Sequence, residues 1–255
     1  MNQLINYTLH LADNSLILGH RNSEWTGRGP VLEQDIAISN IALDLIGQAR
    51  NFYQYAARLI NDSTSQPATE DSLAYLRDAN EFKNCLLVEQ TNGDWAKTVL
   101  RQFFFSAYQY LLYQQLQNSR DEMLAAIAEK SLKEVTYHLR WSSEWVIRLG
   151  DGTEESHVRM LKAVDELWVH TDEIFESVSY ELTVAREGFG FDVSLLKNDW
   201  QKKVKDVFDE ATIPFPADIK PGVRWFGKEG KHSEHLGYIL AEMQFLQRAY
   251  PNSEW

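Results

Sequence analysis

The stretch 92–121 reads NGDWAKTVLRQFFFSAYQYLLYQQLQNSRD, and it predicts one long helix between two caps. The opening Asn-Gly dipeptide is a turn sequence, and Asp94 is placed to cap a helix that reaches Asn118. Asp121 is placed in the same way at the start of the next helix, which ends at Gly150. Two long helices joined by a tight turn favour an antiparallel hairpin.

The remaining chain has the same character, because no proline occurs between Ala68 and Ile213. Further helices are predicted over 3–21, from Pro30 in a first turn to about Leu59, over 71–89, from Thr153 to near Ser179, over 194–211, and from a Ser233 cap to just before Pro251. The stretch 212–231 contains three prolines and three glycines and is predicted to be an irregular loop. Residues 1–255 are therefore expected to form a single all-α domain, an up-and-down helical bundle.

Composition excludes several classes of function. The formal net charge is −12, which repels phosphate backbones and argues against nucleic-acid binding. The single cysteine, Cys85, allows neither an intrachain disulfide nor a cysteine-based metal site, and a lone thiol suits the cytoplasm. The uncharged window 102–119 holds five glutamines, so we expect a buried helix there and no membrane association. No secretory signal is recognisable in the first 21 residues.

Bundles of this kind often hold two metal ions, with Glu from two helices and Glu-x-x-His from two others. Two Glu-x-x-His matches exist, and neither is placed in mid-helix. Glu154 and His157 stand at a helix start, and Glu229 and His232 stand in the predicted loop. Solvated surface positions are the better interpretation of both matches.

Three mid-helix carboxylates are more informative. Glu134 shares a helical face with apolar residues and is predicted to be largely buried, but the position three further on is Tyr137. Asp44 is followed three residues later by Gly47, and Asp13 also lies in mid-helix. We interpret these five residues as vestigial metal-site positions. For the three carboxylates, buried polar groups satisfied by hydrogen bonds are the preferred interpretation, ahead of metal binding.

The helix that follows Asp94 decides whether the bundle has enough carboxylate ligands for a two-metal site. It contains no Asp and no Glu as far as Arg120, and its centre is a run of three phenylalanines at 103–105. It cannot supply a carboxylate ligand. A complete two-metal site is therefore not expected. The sequence also lacks a Gly-x-Ser-x-Gly motif and a phosphate-binding glycine-rich motif, so we expect no metal, no cofactor and no catalytic residue in this chain.

One group of basic residues stands out in an otherwise acidic protein. A solvated loop is the default interpretation of this group, and the alternative is a contact for an anion or an acidic partner. Its members are Arg224, Lys228, Lys231, His232 and His235.

Four blocks of sequence together carry a family resemblance. They are NIALDLIGQAR at 40–50, LLVEQTNG at 86–93, KEVTYHLR at 133–140 and HLGYILAEMQFLQR at 235–248. They closely resemble the C subunits of ring-1,2-phenylacetyl-CoA epoxidase, a multicomponent bacterial oxygenase. The resemblance extends from the first predicted helix to Trp255.

The resemblance implies a ferritin-like fold with extra C-terminal helices and a place in phenylacetate catabolism. In that family a related A subunit holds the di-iron centre and the substrate pocket, and the C subunit is its structural, non-catalytic partner. A further small subunit and an NADPH-dependent reductase complete the system. The alternatives are a di-iron carboxylate oxygenase in its own right, with atypical ligands, and a bundle that works without a partner.

Overall fold

The computed structural model describes residues 2–64, 67–216, 226–251 and 253, and these residues contain helices, turns and loops but no β-strand. The chain divides into two compact units, one of residues 1–91 with 225–255 and one of residues 92–224. The second boundary falls inside the stretch 212–231 that was predicted to be irregular. The single domain expected from the sequence stays a prediction.

The helices are numbered in chain order. They are α1 (Asn2–Ser23), α2 (Leu32–Ser63), α3 (Glu70–Tyr75), α4 (Leu86–Glu89), α5 (Trp95–Leu116), α6 (Glu122–Gly150), α7 (Glu154–Leu167), α8 (Asp172–Phe175), α9 (Ser179–Arg186), α10 (Lys197–Glu210), α11 (Glu234–Met243) and α12 (Phe245–Ala249).

The first unit is built on an antiparallel hairpin of α1 and α2. Asp13 of α1 contacts Tyr53, whereas Gly19, later in α1, lies against Leu45, earlier in α2. Most of α1 is buried, as expected for a helix with neighbours on nearly every side. A Cβ on Gly19 would stand only 3.0 Å from Ile46, so the glycine permits the close approach of the two helices.

The second unit is built on an antiparallel hairpin of α5 and α6. Trp95 at the start of α5 packs edge-on against Trp141 and Trp145 near the end of α6, with ring centroids 5.9 and 6.1 Å apart. Trp200 of α10 donates a hydrogen bond of 2.9 Å to the carbonyl of Phe104 in α5. Two long helical hairpins are the components of a ferritin-like bundle, and the predicted all-α class with extra C-terminal helices is confirmed.

Three of the predicted helix caps are confirmed. The side chain of Asp94 accepts a hydrogen bond from the N–H of Lys97, and that of Asp121 accepts from the first turn of α6. Thr153 forms a reciprocal capping box with Ser156 at the start of α7. Each cap satisfies N–H groups that a helix end leaves without partners.

Other boundaries were predicted wrongly. Helix α2 begins at Leu32 after a Val31 cap, so Pro30 is not in its first turn. The stretch 71–89 is not one helix, because α3 ends at Tyr75 and a 3-10 turn and α4 follow. Helix α7 ends at Leu167, and α9 was not predicted at all. The last helix breaks at Gln244, whose side chain donates to two carbonyls of the α3 region. Within the described residues, no helix is long and apolar enough to cross a bilayer.

Two glycines provide a matched test of packing. A Cβ on Gly150, at the end of α6, would overlap the carbonyl oxygen of Ala211 and stand 2.8 Å from its Cβ, whereas a Cβ on Gly47 in α2 would meet nothing within 4 Å. We expect Gly150→Ala to lower the free energy of unfolding by about 1–3 kcal/mol. We expect Gly47→Ala to raise it by up to about 1 kcal/mol, because alanine favours the helix. Urea denaturation of both variants measures the difference, and equal effects would contradict the packing described.

Candidate functional site

The carboxylate of Asp13 is fully buried in the middle of α1, and four donors surround it. Tyr53 Oη donates to Oδ1 at 2.5 Å, and the backbone N–H of Lys83 donates to Oδ2 at 2.7 Å. The guanidinium of Arg77 forms an ion pair through Nη2 to Oδ1, and its Nη1 donates to Oδ2 at 3.1 Å. Both carboxylate oxygens are therefore used. We call these four residues the Asp13 cluster.

Arg77 is fixed from its other side as well. Its Nε donates to the carbonyl of Leu73 at 2.5 Å, and its Nη1 donates to the carbonyl of Glu81 at 3.0 Å. The guanidinium also lies 4.2 Å from the centroid of the Phe82 ring, in a cation–π contact. Because these bonds use the carbonyls of α3 and of the 3-10 turn that follows it, the arginine holds the chain in its non-α-helical path between α3 and α4.

The buried negative charge of Asp13 raises the pKa values of its neighbours Arg77 and Tyr53. Burial by itself lowers the pKa of Arg77, but the charge and hydrogen bond of Asp13, with further contributions from Tyr53 and Glu81, together outweigh it, so the pKa is raised and the guanidinium stays protonated. Burial, followed by the charge of Asp13, holds the pKa of Tyr53 well above its usual range, so the phenol remains a donor. The cluster is a compensated ion pair with a neutral phenol.

A metal ligand at the Asp13 position would need a free lone pair directed at the ion. Here the guanidinium supplies the positive charge, and the remaining donors complete both oxygens. The residues present do not fit a di-iron ligand set. Among the residues that the structure describes, no group of three or more His, Cys, Asp or Glu side chains is placed to hold a metal ion.

The other two positions on the first hairpin lie apart from Asp13. Asp44 is half-buried on α2 and Gly47 is exposed. Nine residues separate Asp44 from Tyr53, the residue of α2 that faces Asp13, which is about 13 Å along a helix axis. Asp13 and Asp44 therefore do not converge on one site.

The prediction that Glu134 is largely buried was wrong. Glu134 is only half-buried, and Tyr137 is 38% exposed. The buried face of this part of α6 carries Val135 and His138, one residue further on. A shift of one residue turns a side chain by about 100°, which moves Glu134 and Tyr137 to the margin of that face.

A second buried carboxylate, Glu89 of α4, was not identified from the sequence. His232 donates through Nδ1 to Glu89 Oε2 at 2.8 Å and through Nε2 to the carbonyl of Phe82 at 3.0 Å. The N–H of Ser233 donates to Oε1 at 2.7 Å, and Asn84 Nδ2 donates to Oε2 at 2.9 Å. This Glu89 cluster binds the segment that precedes α11 to α4. The sequence signal that could have found it is the position of Glu89 directly after three apolar residues.

The geometry of the Glu89 cluster specifies the charge state of His232. Both ring nitrogens face acceptors, and only the imidazolium can donate to both. Burial lowers the pKa of His232, but the hydrogen bond and charge of Glu89 and the carbonyl of Phe82 outweigh it, so the pKa is raised above 6.5. The pair is a buried salt bridge, with the histidine side chain 4% exposed and the glutamate 0%.

The predicted basic group does not form a surface patch. Lys228 is fully buried and His232 is drawn inward by Glu89, so neither is available to an external anion. Lys231 is exposed, His235 is half-buried, and Arg224 lies outside the described residues.

Both histidines of the Glu-x-x-His matches bind groups within the chain, so the prediction that these positions are solvated was wrong for them. Glu154 is exposed, and His157 donates from Nδ1 to the carbonyl of Gly150 at 2.6 Å, at the end of α6.

Ser233 stands at the cap position of α11, as predicted, but its hydroxyl makes no capping bond. The Glu89 carboxylate accepts from its backbone N–H instead.

Removing one charge of the Asp13 cluster tests its contribution to folding. Asp13→Asn keeps the shape but leaves Arg77 buried without its counter-charge, so we expect the free energy of unfolding to fall by about 3–5 kcal/mol. The control is Asp78→Asn, whose side chain is 73% exposed in its ion pair with Arg248, and we expect a loss below about 1 kcal/mol. The combined Asp13→Leu and Arg77→Met variant should recover much of the loss. Equal stability of the Asp13→Asn and wild-type chains in urea would contradict this account.

The Glu89 cluster makes stability depend on pH. Because the folded pKa of His232 is raised above 6.5, its contribution is complete below pH 6.5 and is lost as pH rises through the folded pKa. His232→Gln should therefore lower stability at pH 6 and converge towards wild type at alkaline pH. The control is His20→Gln, because burial lowers the pKa of His20 and its protonation costs stability only on the acid side. Urea denaturation between about pH 5 and pH 9 measures both slopes.

Comparisons with known proteins agree with the resemblance noted in the sequence. A family model described as "Phenylacetic acid catabolic protein" matches residues 1–255. The chain is also similar to the C subunit of 1,2-phenylacetyl-CoA epoxidase from Escherichia coli (strain K12), with 46% identity over 255 residues that cover 100% of both chains. This extent of similarity leaves no part of the sequence outside the match, and the chain belongs to the phenylacetic acid catabolic protein family.

Proposed function

We propose that this chain is the structural, non-catalytic C subunit of a phenylacetyl-CoA epoxidase. In this role it supports an A subunit that holds the di-iron centre and the substrate pocket in aerobic phenylacetate catabolism. The full-length match to an epoxidase C subunit supports the assignment to that complex.

The observation that carries the proposal is that both carboxylate oxygens of Asp13 are bound by groups of the chain itself. Its carboxylate stands in mid-helix, where a ferritin-like bundle can place a metal ligand, but a guanidinium, a phenol and a backbone N–H occupy both oxygens. Helix α5 adds a second reason, since Trp95–Leu116 contains no Asp and no Glu. A di-iron oxygenase with atypical ligands would have to assemble its site without either contribution.

In the proposed complex, the catalytic chemistry is carried out by other subunits. The A subunit holds the iron and the thioester substrate, and an NADPH-dependent reductase delivers electrons, with a further small subunit in the assembly. We propose that all of them work in the cytoplasm. This chain contributes a helical surface, and the ion pair of Asp13 with Arg77 fills its place in the interior without a metal ion.

Metal analysis tests the proposal directly. The chain purified alone should contain no stoichiometric iron, and after coexpression with the A subunit the two should co-elute with iron that remains in the A subunit on separation. About two irons per chain in this protein alone, as two-metal sites require, together with oxidase activity, would refute the non-catalytic role. Two separate species on size exclusion of the coexpressed pair would refute the proposed partnership.

A further inference from the structure

Residues 226–250 are attached to the rest of the first unit through polar links more than through buried helix faces. Helix α1 buries 16 of its 22 residues, whereas α11 buries three of ten and α12 none of five. A segment with little buried apolar surface and many hydrogen bonds to backbone groups is the kind that opens without unfolding of the whole domain. We call residues 226–250 the α11–α12 strap.

Two groups of hydrogen bonds hold the strap. At its start, the strap joins the Glu89 cluster. At its far end, Gln244 donates to the carbonyls of Ala74 and Arg77 at 3.3 and 3.0 Å, and Arg248 donates to the same Arg77 carbonyl at 2.9 Å. Neither an amide nor a guanidinium changes its protonation in the physiological range, so only the first group can respond to pH.

Close packing between the strap and residues 80–84 favours release in one step. A Cβ on Gly227 would overlap the carbonyl oxygen of Asn84, and a Cβ on Gly230 would overlap that of Asn80. The two stretches of chain therefore lie backbone against backbone. Because tightly packed contacts are kept or lost and do not loosen gradually, we expect the strap to separate as one piece.

The bonds at the start of the strap require a proton on His232. One ring nitrogen faces the Glu89 carboxylate and the other faces the carbonyl of Phe82. A neutral imidazole has a single N–H, so its second nitrogen would direct a lone pair at an acceptor oxygen. We propose that the α11–α12 strap detaches from the rest of the first unit as one piece when His232 loses its proton.

The direction of the effect follows from the charges around the ring. Because the folded pKa of His232 is raised above 6.5, the attachment is complete below pH 6.5 and weakens as pH rises through the folded pKa. Burial lowers the pKa of Lys83, so this lysine is a second candidate for titration in alkaline solution. The titratable and charged groups near the ring are His10, Asp13 and Arg21 on α1, Arg77 and Lys83 between α3 and α4, Glu89 on α4, and Lys228 and Glu229 in the strap.

Native-state hydrogen exchange of the full chain, measured by mass spectrometry, tests whether the strap opens separately. After correction for the intrinsic exchange rate at each pH, the amides of α11 should be less protected than those of α1. Their protection should also depend less on urea, because release of the strap exposes less surface than unfolding of the unit. Equal protection and equal urea slopes for α11 and α1 would overturn the proposal, since the strap would then open only by global unfolding.

The pH dependence of the same exchange tests the role of His232. Between about pH 6 and pH 9 the protection of α11 should fall at least about 10-fold, as for the loss of a hydrogen bond to a charged group. His232→Gln should show the low protection already at pH 6 and change little with pH. The control is His235→Gln, a half-buried histidine of the same strap, which should follow wild type. A pH dependence that survives in His232→Gln would assign the titration to a neighbour such as Lys83 and overturn the proposal.

The far end of the strap provides a check that does not involve titration. Gln244→Leu removes two hydrogen bonds and no ionisable group, so the protection of α11 should fall about 10-fold at both pH values, with an unchanged ratio between them. Wild-type protection of α11 in Gln244→Leu would contradict release as one piece. All of these measurements use this chain alone, so the inference stands or falls independently of the proposed function.

Discussion

The buried carboxylate of Asp13 is the constraint on which the first unit depends. A charge in the interior must be paired, and its partners come from three places: Tyr53 on α2, Arg77 after α3, and the backbone of Lys83. The tyrosine fixes α2 against α1 in the antiparallel hairpin. Arg77 binds the carbonyls of Leu73 and Glu81, and the N–H of Lys83 binds the carboxylate, so together they keep the segment between α3 and α4 out of α-helical conformation.

That irregular segment in turn connects the two buried ion pairs. The carbonyl of Phe82, next to Lys83, accepts from His232, and the same histidine donates to Glu89. The Glu89 carboxylate also caps the start of α11 by accepting from the N–H of Ser233. Residues separated by more than 140 positions in the sequence are thereby joined in one unit. The loop-closure entropy of such a contact grows only slowly with the length of the loop, so the long separation in sequence adds little to the cost of forming it.

This dependence explains what could be predicted from the sequence and what could not. The hairpins were found because caps such as Asp94 and Asp121 and the spacing of prolines act locally. The break after α3 was missed because its cause, Asp13, lies 64 residues away from Arg77. Residues 228–232 were assigned to a solvated loop for the same reason, since nothing near His232 in the sequence indicates Glu89. The predicted orientation of Glu134 was wrong by one residue, because Val135 and not Glu134 lies on the buried face of α6. Apolar periodicity in the sequence does not distinguish two neighbouring positions.

A buried ion pair adds little stability beyond what apolar residues of the same volume would provide, but breaking it is costly. The Asp13 cluster is therefore better understood as a device for specificity than as a source of stability. A free carboxylate in the bundle interior would either bind a metal or take up a proton, and both would change its surroundings. The permanently protonated guanidinium of Arg77 prevents both outcomes. A protein whose proposed task is to support an iron-bearing partner gains from this arrangement, because the carboxylate in its own interior then needs neither a metal ion nor a proton.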